Sequence, residues 1–145
     1  MTTYIPIASQ TLASATSTVT FSGIPQDYTD LVFVCNYGSS ANGYVYINYN
    51  SDSSSLYSTT RMGPVPGSTG YSDGTANQTA IINSMYGYSA SLSFAKLDIF
   101  NYSNSSTYKT TLINDTEGLP DLSRVVALYR STNPITSITL TKQGG

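Results

Sequence analysis

The residues of this sequence best placed to do chemistry are two carboxylates, Asp115 and Glu117, which lie two positions apart. On a β-strand, side chains at this spacing point to the same face, so the pair could serve as the acid and base of a glycosidase. They lie in the stretch NDTEGLPD, which is rich in turn-forming residues and has no aromatic flank for a sugar subsite. Acidic residues are common in turns, so a solvated loop is the better interpretation.

The sequence contains no histidine, and this removes several classes of enzyme. Without imidazole there is no Ser-His-Asp or Cys-His nucleophile and no histidine-based metal site. Phosphate-binding motifs of the GxxxxGK or GxGxxG type are also missing. The single cysteine, Cys35, lies in the apolar run LVFVC, where a small buried hydrophobic residue is expected. We therefore predict that the chain is not an enzyme and has neither catalytic residues nor a cofactor.

Oxygen-rich side chains suggest one further kind of site, a structural calcium ion. Asn48, Asn50 and Asp52 lie close together in the sequence, and the stretch NDTE offers more oxygens. Calcium takes roughly six to eight oxygen ligands, usually with several carboxylates among them. Neither cluster has enough charge alone, so no metal site is predicted.

The composition suits a protein that packs against other proteins. Charged residues make up 10 % of the 145 residues, against roughly 25 % in an average soluble protein, and the formal net charge is −2. Charge repulsion therefore protects this surface poorly against association. The six Lys and Arg residues form no basic run, which argues against a nucleic-acid partner. No stretch resembles a signal peptide or a membrane-spanning segment, so no membrane partner is predicted.

Short runs of Tyr, Thr, Val, Ile and Phe dominate the chain, and turn-forming residues separate them. This spacing is typical of a β-sandwich or barrel, and we predict an all-β fold, a single antiparallel, jelly-roll-like β-sandwich. Residues 119–130 are predicted to be mostly strand, with a helix as the second interpretation, because valine and tyrosine favour strands. The predicted strands are 5–8, 17–22, 31–37, 44–50, 57–62, 79–86, 92–102, 109–115, 124–130 and 135–141.

Two segments outside this pattern are predicted to make contacts. Residues 1–10 are expected to form an extended arm in front of a sandwich domain at 11–145. Residues 63–78 are rich in Gly and Pro, lack periodicity and are long for a loop in a compact domain. We predict a contact loop there, with a mobile surface loop as the alternative.

Tyrosine is the remaining signal, because the chain contains 13 of them. A tyrosine supplies a large contact area and a hydroxyl that tolerates a wet boundary, so exposed tyrosines suit a protein interface or a saccharide surface. Others must belong to the core or to sheet surfaces. The residues predicted to form a protein interface are Tyr4, Ile5, Tyr44, Tyr46, Pro64, Pro66 and Tyr71.

The opening of the chain carries a recognisable pattern. Residues 7–31 read IASQTLASATSTVTFSGIPQDYTDL, with IASQTL first, a strand ending in VTFS next, and IPQ-x-YTDL last. This pattern resembles the start of a group of small virion structural proteins of tailed phages that infect aquatic bacteria and cyanobacteria. The late stretch NPITSITLT at 133–141 is similar to the I-x-x-I-x-L strand of that group.

The resemblance implies a β-sandwich that coats or staples a protein shell. We expect a capsid cement (decoration) protein on the surface of the virion, bound to the major capsid protein, as a homotrimer at a local three-fold axis. A carbohydrate-binding module of a tail fibre or adhesin is the alternative. In the group, a Gly-rich turn and a last aliphatic strand follow the I-x-x-I-x-L strand, whereas here TKQGG follows. That strand is expected to be absent, supplied by a neighbour or outside this sequence.

Overall fold

The structure, a computed structural model, describes residues 4–63, 70–89, 91–116 and 122–143. Within these ranges the chain forms ten β-strands and no helix, and so no helical segment of the described chain is suited to crossing a membrane. The strands are β1 (Thr18–Ser22), β2 (Leu31–Gly38), β3 (Gly43–Tyr49), β4 (Tyr57–Gly63), β5 (Tyr71–Gln78), β6 (Tyr86–Gly87), β7 (Leu92–Phe100), β8 (Lys109–Asp115), β9 (Ser123–Tyr129) and β10 (Ser137–Lys142).

The strands form two antiparallel sheets that pack face to face, and the predicted antiparallel β-sandwich is confirmed. One sheet has four strands in the order β1-β10-β3-β6, and the other has six in the order β2-β7-β8-β9-β4-β5. The chain crosses repeatedly from one sheet to the other, as in a jelly roll. The hairpin β8-β9 is an insertion in this scheme, because it lies between β7 and β4 and widens the larger sheet.

Most of the predicted strands are confirmed, and β8 has the predicted bounds. The segment that had a helix as its second interpretation forms β9, so the strand interpretation is confirmed there. β10 pairs with β1 on one side and with β3 on the other. Its two sides are therefore both occupied, and no gap for a further strand lies beside it.

Three predictions about individual segments are wrong. Residues 5–8 form no strand, because Pro6 lacks an N–H donor and no neighbouring strand pairs with this segment. Of the predicted strand 79–86, Tyr86 alone belongs to a strand, β6, and Ile81 forms an isolated bridge with Ile47. Conversely, the second half of the predicted contact loop 63–78 is strand β5, which pairs with β4. Residues 64–69 of that loop lie outside the described part of the chain.

The core lies between the sheets and contains a cluster of tyrosine rings. The ring centroids of Tyr57 and Tyr129 are 4.7 Å apart, and Tyr49 lies 5.6 Å from Tyr129. Their hydroxyls find partners: Tyr129 donates to the Asp52 carboxylate at 2.7 Å, and Tyr49 shares a hydrogen bond of 2.7 Å with Thr111. Burial raises the pKa of Tyr129 to about 12. These tyrosines hold the sheets together and are not available for external contacts.

Candidate interaction surfaces

The lateral edge of the sandwich formed by β5 and β6 is held together by side chains, and we call it the closed edge. Arg61 on β4 donates to both carboxylate oxygens of Asp73 on β5, at 2.6 and 2.8 Å. The same guanidinium lies 4.8 Å from the centroid of the Tyr71 ring. A bidentate pair of this kind fixes the edge strand to its neighbour. The hydrogen bond from Arg61 also lowers the pKa of Asp73.

Arg61 links the two sheets as well. Its Nη1 donates to the hydroxyl of Tyr44 on β3 at 3.4 Å. The Tyr44 ring packs edge-on against Tyr86, its partner on β6, with 4.7 Å between centroids. The structure thus brings the predicted contact residues Tyr44 and Tyr71 together around an arginine that the sequence did not single out. The available signal was an Arg61–Asp73 charge pair across a hairpin, but it is visible only once β5 is known to be a strand.

A buried carboxylate connects β6 of the closed edge to β2 in the other sheet. Asp115 at the end of β8 is fully buried, so the expected solvated loop is wrong at this residue. It accepts a hydrogen bond from the Tyr37 hydroxyl at 2.7 Å and from the Tyr86 backbone N–H at 3.1 Å. Burial, and secondly the charge of Asp115, raise the pKa of Tyr37. Glu117, the other candidate glycosidase carboxylate, lies outside the described residues.

The opposite lateral edge is formed by β1 and β2, and we call it the open edge. Neither strand carries a charged side chain, and the Tyr37 hydroxyl near the end of β2 reaches the Tyr86 carbonyl of β6 at 3.4 Å. In the described part of the chain, no strand pairs with the outer side of either β1 or β2. The rings of Phe21 and Phe33 meet across the edge in an edge-on contact at 5.5 Å. The side chains that face inward along these two strands remain partly exposed: Val19, Phe21, Leu31, Phe33 and Cys35.

A cleft of about 1750 Å³ runs along the open edge. Its inner wall includes the apolar side chains of Val45 and Leu140, and its outer wall is the N-terminal segment. The free thiol of Cys35 also lines it. Burial raises the pKa of Cys35 to about 11, so the thiolate form is scarce at neutral pH and the thiol is a poor nucleophile. The cleft is lined largely by apolar side chains, with the charged side chains of Asp30, Lys96, Asp98 and Lys142 also in its lining.

The N-terminal segment 4–12, which we call the arm, lies over this cleft without filling it. Tyr4 is 68 % exposed and Ile5 is 51 % exposed, and the apolar side chains of Ile7 and Leu12 are exposed too. No backbone group of the arm makes a hydrogen bond to another described residue. The predicted division into an arm at 1–10 and a sandwich domain at 11–145, and the predicted contacts of Tyr4 and Ile5, stay predictions.

The outer face of the six-stranded sheet is a second apolar surface. Leu112 and Val126 lie opposite each other on β8 and β9 in its middle, and both are exposed. Phe94 on β7 is 39 % exposed on the same side. The buried residues of β7 lie on its inner side, and its outer side stays partly exposed in a single chain. We call this surface the outer face and define it by the exposed residues Val34, Met62, Phe94, Leu112 and Val126.

The other predicted interface residues are placed as follows. Tyr46 is half-buried on β3, opposite Thr141 of β10, and lies two residues from Tyr44. Pro64 and Pro66 lie outside the described part of the chain. The predicted interface set is therefore divided between the arm and the closed edge, and it does not form one continuous patch.

The candidate calcium ligands are occupied by hydrogen bonds within the protein. Asn50 Oδ1 accepts from the backbone N–H of Thr136 at 2.7 Å, and Asn48 Nδ2 donates to the carbonyl of Thr79 at 2.7 Å. Asp52 accepts from Tyr129 and from the N–H of Ser54. These side chains secure the turns around β3. Among the described residues, no group of three or more His, Cys, Asp or Glu side chains could hold a metal ion.

Comparison with protein-family models, with curated proteins and with solved structures found no significant match for this chain.

Proposed function

We propose that this chain is a capsid cement protein of a tailed phage, which binds the major capsid protein on the surface of the head. The pattern at residues 7–31, with its resemblance to phage structural proteins, supports this proposal. The jelly-roll-like sandwich agrees with it, since viral capsid domains use this architecture, although a fold alone does not assign a function. The observation that carries the proposal is the amount of exposed apolar surface, on the arm and the outer face, in a chain with so few charges.

The outer face is the surface best suited to lie against a shell. It is a broad sheet face with the aliphatic side chains of Leu112 and Val126 at its centre. Neighbouring threonines and the charged side chains of Lys96, Asp98 and Arg124 lie around them. Tyr4, at the exposed tip of the arm, is a further anchor, and its loss would cost on the order of 1–3 kcal/mol of binding if it is a hot spot. Tyr44 and Tyr71 are assigned mainly to the closed edge, because their rings are engaged with Arg61.

Repetition on a shell makes a modest contact sufficient. A closed symmetric arrangement, here a homotrimer at a local three-fold axis, presents the same surface several times. Once one copy has docked, the others bind at high effective concentration, so the assembly holds more tightly than any single contact. A cement protein therefore needs a complementary surface and a stable fold, and no catalytic group.

The test is binding of the purified chain to phage heads that lack it, measured by co-sedimentation. We expect saturable binding in a fixed ratio to the major capsid protein. The double variant Leu112→Asp/Val126→Asp places two charges on the outer face at exposed positions and should weaken binding at least about tenfold. The matched control is Ser105→Asp/Asn133→Asp, which adds the same charge on exposed loops and should bind as the parent does.

Two results would contradict the proposal. The first is that the chain shows no saturable binding to heads. The second is an equal loss of binding in both charged variants, because the added charge and not its position on the outer face would then cause the loss. Binding to glycans in place of heads would favour the tail-fibre module.

A further inference from the structure

The two lateral edges differ in how their unpaired strands are protected. Sheet edges in proteins are usually guarded by short strands, bulges, or inward-pointing charges, because an unguarded edge pairs with other chains. At the closed edge, β6 has only two residues, and β5 has a register shift opposite Tyr57/Thr59. β5 also carries the Asp73 carboxylate, held by Arg61.

None of these protections is found at the open edge. The strands β1 and β2 read TVTFS and LVFVCNYG, without a charged residue or a proline. β2 is eight residues long and pairs with β7 in unbroken register, so its outer side is a regular row of N–H and C=O groups that no strand of the described chain pairs with. An edge of this kind, next to a largely apolar cleft, is suited to an extended, uncharged peptide segment.

The arm has the properties that this edge requires. Residues 4–12 read YIPIASQTL and carry no charge. Fully extended, these nine residues span about 30 Å, which matches the roughly 26 Å of an eight-residue strand such as β2. Ile5 and Ile7 share one face of an extended chain, so both could enter the cleft. Pro6 is tolerated in an edge strand when its nitrogen faces away from the partner strand.

In its own chain the arm is not seated on this edge. Its apolar side chains are exposed and its backbone makes no hydrogen bond to another described residue, although it lies directly over the cleft. We infer that the arm of one copy adds as a strand to the open edge of a second copy, with Ile5 and Ile7 in the cleft. Such an arm-to-edge contact is head-to-tail, so it closes into a ring when the rotation permits.

The native thiol in the cleft allows a direct test. We would prepare an arm-thiol chain, Ile7→Cys/Cys35→Ser, and mix it with the parent chain, whose single thiol is Cys35. Each chain then has one thiol, so an arm-to-cleft disulfide forms only between copies. Diamide oxidises the paired thiols and is itself reduced, and the linked pair is counted on a non-reducing gel. The matched control is Ser105→Cys/Cys35→Ser, with its thiol on an exposed loop, mixed with the same parent chain.

We expect the arm thiol to link to Cys35 at least about tenfold more than the loop thiol does, and an excess of a thiol-free Cys35→Ser chain to compete. Equal linkage by the two thiols would overturn the inference. So would a chain carrying Ile7→Cys with Cys35 intact that forms only an internal disulfide, because the arm would then seat in its own cleft. The mixture contains no phage heads, so its outcome is separate from that of the shell-binding test.

Discussion

The closed edge and the open edge belong to the same two sheets, yet only at the closed edge does an ion pair hold the outermost strand of the larger sheet. Arg61 joins Asp73, Tyr71 and Tyr44 there. Asp115 joins Tyr86 of β6 to Tyr37 of β2. At the open edge, Phe21 and Phe33 meet beside a cleft of about 1750 Å³. The comparison indicates a division of labour in which the closed edge stabilises the fold and the open edge stays available for another chain.

The largest loss of stability is expected from removing the buried Asp115 carboxylate, which joins β6 to β2. Asp115→Ala leaves the Tyr37 hydroxyl and the Tyr86 N–H buried without the acceptor they use now, and should lower the free energy of unfolding by about 3 kcal/mol. Urea unfolding measures this loss. The matched control is Asp98→Ala, which removes a carboxylate paired with Lys96 near the surface and should cost less than about 0.5 kcal/mol. Similar losses in the two variants would mean that burial of Asp115 does not matter.

A smaller loss of stability is expected from removing Arg61 at the closed edge. Arg61→Ala removes the fork to Asp73 and the contact with Tyr44, and should cost about 1 kcal/mol, since Asp73 is half exposed to solvent. Amide hydrogen exchange in β5 should accelerate selectively, because this strand loses its attachment. Arg124→Ala, at an exposed position on β9, is the control and should change neither quantity. Unchanged exchange in β5 would show that Arg61 does not secure the edge.

The pH dependence of this pair sharpens the same point. Because Arg61 lowers the pKa of Asp73 in the folded protein, its stabilisation is present above the unfolded pKa of the carboxyl and is lost as the pH falls through the lowered folded value. A double-mutant cycle of Arg61→Ala and Asp73→Ala should give a coupling of roughly 0.5–1 kcal/mol at neutral pH that disappears in acid. A coupling that persists in acid would assign it to packing.

The smallest effect is expected at the open edge. Deleting residues 1–12 removes the arm, whose apolar side chains are exposed and whose backbone is not hydrogen-bonded to the described chain. At concentrations too low for self-association, the free energy of unfolding should change by less than about 0.5 kcal/mol. Urea unfolding of the full and the shortened chain measures this change in the free energy of unfolding. A loss above about 2 kcal/mol would place the arm in the fold of its own chain.

The sequence predicts the regular strands well and the closed edge poorly, for a physical reason. Strands such as β8 are predicted from their own residues, because the Thr and Ile of KTTLIND favour a strand and turn-forming residues precede it. In β5, by contrast, both faces of YSDGTANQ are polar, and what makes it a strand is pairing with Thr59 and Arg61, partners outside the segment. A local pattern cannot contain that information.

The same limit explains why the burial of Asp115 and of particular tyrosines is not predicted from the local sequence. The local sequence around Asp115 resembles a turn, but its environment is set by Tyr37, which is 78 positions away. Likewise, nothing in the sequence separates Tyr129, buried with its hydroxyl on Asp52, from the exposed Tyr4.

Amide hydrogen exchange along β2 tests the central claim most directly, comparing the isolated chain at low concentration with the same chain in its assembled state. We predict that alternate amides of β2, those on its outer side, become strongly protected on assembly while the amides of β5 keep the rates they have in the isolated chain. If β2 exchanges equally fast in both states, or if β5 is protected instead, the open edge is not where chains meet.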